Sequence, residues 1–164
     1  MLSYVVLSII IFIRATRMSY CQGGKIMKWK DECFTALDKE NMFEDSGHRT
    51  RFKELMDCYS SYPFFNKGLC KCMYLSAWDE AHFCILLETL MDLSLGKEKN
   101  TEEMRSQGEI LAEEQSTDEY YVYELANAFL DGKKFQMDYE SKVSPEIRYI
   151  ISRALSAAEI IDNV

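Results

Sequence analysis

The chain predicts an all-α domain, a compact bundle of about five to six helices. Three observations lead there. Apolar residues recur at helical spacing in one segment after another. The two prolines, Pro63 and Pro145, both stand at segment boundaries. The only stretch that reads as extended, "KKFQMDY" at residues 133–139, is one short strand, and one strand cannot build a sheet. With 48% hydrophobic and 13% aromatic residues, the composition is that of a globular protein rather than a disordered one.

Residues 1–13, "MLSYVVLSIIIFI", are apolar, yet no Lys or Arg precedes the run, and Arg14 and Arg17 follow it. A secretory signal wants the reverse charge order, and a spanning helix wants about 20 apolar residues. Residues 22–27, "QGGKIM", can be written in codons as CAA-GGA-GGT-AAA-ATT-ATG. That string contains AAGGAGG, a bacterial ribosome-binding site, just ahead of a start codon. The expectation is therefore that residues 1–26 are a translated upstream region. Residues 27–164 would then form one helical domain of 138 residues, enough for a real core. If residues 1–26 are instead a true part of the protein, they are a short membrane anchor.

In "DSGHRTRFKELMDCYS", Asp45 or Ser46 caps a helix that aligns Phe52, Leu55, Met56 and Tyr59. His48 falls in its first turn, where the expectation is a surface or capping group. After Pro63, "FFNKGLCKCMYLSAW" places Phe65, Leu69, Cys72 and Met73 on one face. Ser76, three residues before Asp79, starts "SAWDEAHFCILLETLMDLSLG" in capping-box fashion. This run is apolar on more than one face, so it is expected to be the central core helix, ending at Gly96.

"TEEMRSQGEILAEEQ" is the most polar stretch, an exposed helix or a connection, opened by Asn100 or Thr101. "STDEYYVYELANAFLDG" has Ser116 or Thr117 as its cap and sets Tyr121, Leu125, Ala128 and Phe129 on one side before Gly132 closes it. The last helix has Ser144 as cap, Pro145 at its first position and Glu146 at the positive end. Ile147, Ile150, Ile151, Ala154, Leu155, Ala158 and Ile161 then form a strip that must pack into the domain or dock on a second copy.

Net charge is −8, and near −11 from Met27 onward, because Arg14, Arg17 and Lys25 fall before it. Such a domain repels phosphate backbones, which argues against direct nucleic-acid binding. Starting at Met27 leaves five cysteines (Cys33, Cys58, Cys70, Cys72 and Cys84). An odd number crowded into one half is not a disulfide framework, so a cytoplasmic protein with reduced, mostly buried thiols is expected.

Cys58, Cys70, Cys72, His82 and Cys84 have the chemistry of zinc ligands. However, residues two apart on a helix point to opposite sides, so 70/72 and 82/84 suit one shared ion poorly. Neither His48 nor His82 lies on one helical face with a cysteine or serine as a nucleophile–base pair would. The chain contains no phosphate-binding glycine loop, no dinucleotide fingerprint and no paired-histidine zinc motif. No catalytic residue, cofactor or metal is therefore assigned.

From Glu98 to Glu124 nine acids face only Lys99 and Arg105. They are a solvated face, a contact for a basic partner, or an imitation of a phosphate backbone. Glu109, Glu113 and Glu114 are the candidate contacts there. Tyr120, Tyr121 and Tyr123 cannot all face a core at helical spacing, so one of them, with Tyr120 the candidate, is exposed as in a binding surface.

"MFEDSGHRTRFKELM" and "YELANAFLDG" together resemble a domain-of-unknown-function family. Its members are small proteins of Firmicutes and of their phages and conjugative elements. Phe43, His48, Arg51, Phe52 and Leu55 match one patch, and Leu125, Ala126 and Gly132 fit the other loosely. The resemblance spans residues 42–132 and implies a Gram-positive or mobile-element source, with no activity attached.

The expected function is thus a non-enzymatic protein-interaction or accessory module, with a protein partner or with a second copy docked through Ile147, Ile151 and Ile161. The alternatives are an acidic inhibitor that mimics nucleic acid and a small Cys/His metal protein.

Overall fold

A computed structural model of the chain describes residues 24–62, 65–79, 82, 120–137 and 143–164. The fold is all-α. Its described helices are α1 (Gly24–Lys39), α2 (Ser46–Tyr59), α3 (Lys67–Ser76), α4 (Tyr120–Asp131) and α5 (Pro145–Asn163), with no strand among the described residues. Residues 133–137, the start of the stretch read as extended, have no regular structure. Apart from residues 76–79 and His82, the apolar run expected as the central helix lies outside the described residues, as do the polar segment after it and residues 1–23.

Local chemistry sets the ends of these helices. Asp45, Asn66 and Ser144 cap α2, α3 and α5, each side chain accepting from the backbone N–H three residues on. At the end of α1, Asn41 takes a left-handed conformation (φ 51°). Its N–H reaches the Asp38 carbonyl while Met42 N–H reaches that of Leu37. Gly132 (φ 64°) closes α4 in the same way, with Gly132 N–H on Phe129 and Lys133 N–H on Ala128. Both are Schellman turns, which satisfy carbonyls that a helix end otherwise leaves bare.

Among the described elements α3 is the hub, packing on α2, α4 and α5, while α5 also meets α1 and α4. Leu69, Cys70, Cys72, Met73, Tyr74, Leu75 and Ser76 are all buried, so α3 is covered on nearly every side. Gly68 admits α4 to close range: a Cβ there would stand 2.5 Å from the Phe129 carbonyl oxygen.

The strip on α5 is buried inside the chain. Ile147, Ile150, Ile151, Ala154, Ala157, Ala158 and Ile161 are covered, whereas Leu155 points outward at 37% exposure. The expectation that Ile147, Ile151 and Ile161 dock on a second copy is therefore corrected. Burying each such side chain stabilises by about 1.5–3 kcal/mol, and here it is the domain's own core that gains it. At the far end of α5, Lys71 pairs with the Asp162 carboxylate at 2.7 Å and Lys67 donates to the Asp162 carbonyl at 3.0 Å. Both cations complement the negative end of that helix. Among the described residues no helix is long and apolar enough to cross a membrane.

Candidate functional site

The most elaborate polar arrangement lies where the start of α2 meets the end of α3. Asp45 accepts from His48 N–H at 2.6 Å, which starts α2 and turns the His48 ring inward. That backbone hydrogen bond holds the Asp45 carboxyl below its usual range. His48 is fully buried, so its placement on the surface is corrected.

Both ring nitrogens of His48 are used. Nδ1 accepts from Glu44 N–H at 3.2 Å, which leaves the proton on Nε2, 2.9 Å from the Tyr74 carbonyl to which it donates. The rings of Tyr74, Trp78 and Phe43 surround it at 4.6, 5.1 and 5.4 Å. Desolvation there disfavours the imidazolium and lowers the His48 pKa to about 4.

One turn on, Arg51 donates from Nε to the Ala77 carbonyl and from a terminal nitrogen to that of Trp78, each at 2.7 Å. His48 and Arg51 together thus bind three carbonyls at the α3 terminus, those of Tyr74, Ala77 and Trp78. The Tyr74 hydroxyl returns the contact by donating to the Met42 carbonyl. Phe52 and Leu55, on the same face of α2, are buried beneath. The residues Phe43, His48, Arg51, Phe52 and Leu55 therefore act as one latch that seats α2 on α3.

Over this latch lies an aromatic surface. Tyr149 of α5 is 47% exposed, meets the Trp78 ring edge-on at 5.9 Å and donates to Glu44 Oε2 at 2.9 Å. That bond to a carboxylate raises the Tyr149 pKa. Arg153, one turn further along α5, donates to the Asn41 carbonyl. The surface thus carries a half-exposed tyrosine, an indole, a carboxylate and a guanidinium.

The second histidine is placed differently. Asp79, not Ser76, begins the segment carrying His82: Asp79 Oδ1 accepts from His82 N–H and Oδ2 from Nδ1, both at 2.8 Å. The Ser76 hydroxyl donates to the His82 carbonyl at 2.8 Å. The carboxylate fixes the imidazole as in many acid–base sites, while His82 Nε2 is buried without a hydrogen-bond partner among the described residues.

The cysteines do not converge as a set. Cys70 and Cys72 leave α3 on different sides, Cys70 toward Cys33 of α1 and Met56 of α2 (Sγ–Sγ 3.9 Å, Sγ–Sδ 3.7 Å), Cys72 toward the Ala126 carbonyl of α4 at 3.3 Å. Cys58 is half-buried, and Cys84 lies outside the described residues. Among the described residues no group of three or more His, Cys, Asp or Glu side chains is arranged to hold a metal ion.

Of the residues expected to meet a partner, Tyr120 is exposed at 41%, with Tyr121 edge-on beside it at 6.4 Å. Glu109, Glu113 and Glu114 lie outside the described residues, and Ile147, Ile151 and Ile161 are in the core. Sequence reasoning missed Tyr149 and Trp78. The signal for Tyr149 was available: it falls between Ile147 and Ile150 on a helix whose apolar strip is complete without it. No family model, curated protein or solved structure matches the chain.

Proposed function

We propose that the protein is a non-enzymatic, cytoplasmic protein-interaction module, an accessory protein of a bacterial mobile element or its host. One observation carries this reading: Tyr149 is held half-exposed over Trp78, with its hydroxyl on Glu44. A tyrosine already ordered by an indole and a carboxylate loses little freedom when a partner covers it, and aromatic anchors of this kind dominate binding energy at protein interfaces. The mobile-element source rests on the sequence resemblance of Phe43, His48, Arg51, Phe52 and Leu55 to the pattern of the domain-of-unknown-function family.

The test is a photo-crosslinking amino acid placed at Tyr149 in the producing host, with Lys53 on the outer face of α2 as the control position. One discrete protein adduct from position 149 and none from 53 is expected. Equal labelling from both positions, or none from 149, would defeat the reading.

A further inference from the structure

The sulfur cluster in the core has no part in the proposed surface, and it is where a second property is legible. Cys33 of α1 and Cys70 of α3 are both completely buried, with sulfurs 3.9 Å apart. They lie 37 residues apart in the chain and on two helices that share few other described contacts, since α1 rests chiefly on α5. We propose that Cys33 and Cys70 are a thiol pair that small disulfides of the glutathione class oxidise to an intramolecular disulfide, tying α1 to α3.

The geometry supports the step in three ways. A disulfide needs its sulfurs at about 2.05 Å, so the pair must close by roughly 2 Å, shared between two side chains. The thiols face each other inside one chain, which favours closure within it over linkage between chains. Met56 Sδ, 3.7 Å from Cys70 Sγ, lies against the pair from α2, so a third sulfur packs against the two thiols.

The order of attack follows from the unequal settings of the two thiols. A hydrogen bond from Cys70, with the Lys67 ammonium nearby, lowers the Cys33 pKa. Burial raises that of Cys70. Cys33, the more readily ionised thiol and the one carried on the helix whose opening admits the reagent, is the attacking thiolate. It attacks one sulfur of the small disulfide RSSR, forming Cys33–S–SR and releasing RS⁻. Cys70 then gives up its proton and attacks the Cys33 sulfur, forming Cys33–S–S–Cys70 and expelling the second RS⁻, which takes that proton. Two protein thiols and one RSSR become one protein disulfide and two RSH, with two electrons passed to the reagent. Access comes through a local opening in which α1 lifts from α3, with which it shares few contacts, and exposes Cys33.

The experiment uses the full chain carrying Cys21, Cys58, Cys72 and Cys84→Ser, so that only the pair remains, beside the unaltered chain. Each is equilibrated natively with oxidised glutathione, blocked with an alkylating agent, weighed intact and mapped by peptide. The expected product has lost the mass of two hydrogens, yields a Cys33–Cys70 cross-linked peptide in both chains, and melts at a higher temperature than its reduced form. A pair that stays fully alkylatable would overturn the proposal. So would a chain that stops at Cys33 glutathionylation, or a linkage in the unaltered chain that maps to Cys58.

Discussion

Helix α3 is held by two unlike contacts. Toward α4 and α5 it is packed mainly by apolar groups and by the absence of a side chain at Gly68, with Lys67 and Lys71 bound to Asp162 at the exposed end of α5. Toward α2 its end is bound by buried and part-buried hydrogen bonds from His48 and Arg51. The difference lies in tolerance. An apolar seam loses stability in proportion to what is removed and can relax. A buried polar contact fails asymmetrically, because deleting one partner leaves the other desolvated and unpaired. The α2–α3 latch is therefore the more brittle of the two.

The largest expected effect is that of His48→Ala. It opens a hole among Phe43, Tyr74 and Trp78 and strands both the Tyr74 carbonyl and the Glu44 N–H. A loss of about 3–5 kcal/mol is expected by urea denaturation. A loss below about 1 kcal/mol would place the latch among ordinary surface contacts.

Arg51→Met comes next. It keeps the apolar stem while removing both hydrogen bonds to the Ala77 and Trp78 carbonyls, and should cost about 1.5–3 kcal/mol in the same measurement. Trp78 is partly exposed, so its carbonyl can recruit water, while that of the fully buried Ala77 is left bare. One stranded carbonyl and no ring-sized hole make this effect the smaller one. If Arg51→Met proved the more damaging, the guanidinium rather than the imidazole would be the centre of the latch.

Much of the fold was legible because it is set by neighbours in sequence. Asp45, the Ser144–Pro145 pair and Gly132 act within a turn of themselves, and Phe52, Leu55, Met56 and Tyr59 repeat at helical spacing. Helix α1 carries a signal of its own, since Trp29, Cys33 and Leu37 recur at four-residue intervals and Asn41 supplies its stop. Its first turns coincide with "QGGKIM", a stretch that also reads as a translation start, so one set of residues supports two incompatible readings.

The latch was beyond local reasoning. His48 at the start of a helix looks exposed until a carbonyl 26 residues away, on Tyr74, gives its ring a buried partner. Ser76 and Asp79 show a similar limit: both are capping residues, and only the hydrogen bonds to His82 tell which of them caps. The candidate surface was half legible. Three tyrosines too closely spaced to share one core face required an exposed ring, and Tyr120 is one. The edge-on contact of Tyr149 with Trp78 joins residues 71 apart in sequence, and no spacing rule reaches that far.

The most direct test of the latch is the protonation of His48. Its folded pKa is about 4 against an unfolded value near 6.5. Neutral His48 thus favours the fold fully above the unfolded pKa, and that contribution, about 3 kcal/mol, drains away as pH falls from 6.5 toward 4. Nitrogen-15 NMR of the histidine rings across this range reports both titration and tautomer. One ring should stay neutral with its proton on Nε2 until pH is near 4, and unfolding should set in as it protonates. A His48 ring that titrates near 6.5 in the folded protein, or carries its proton on Nδ1, would contradict the account.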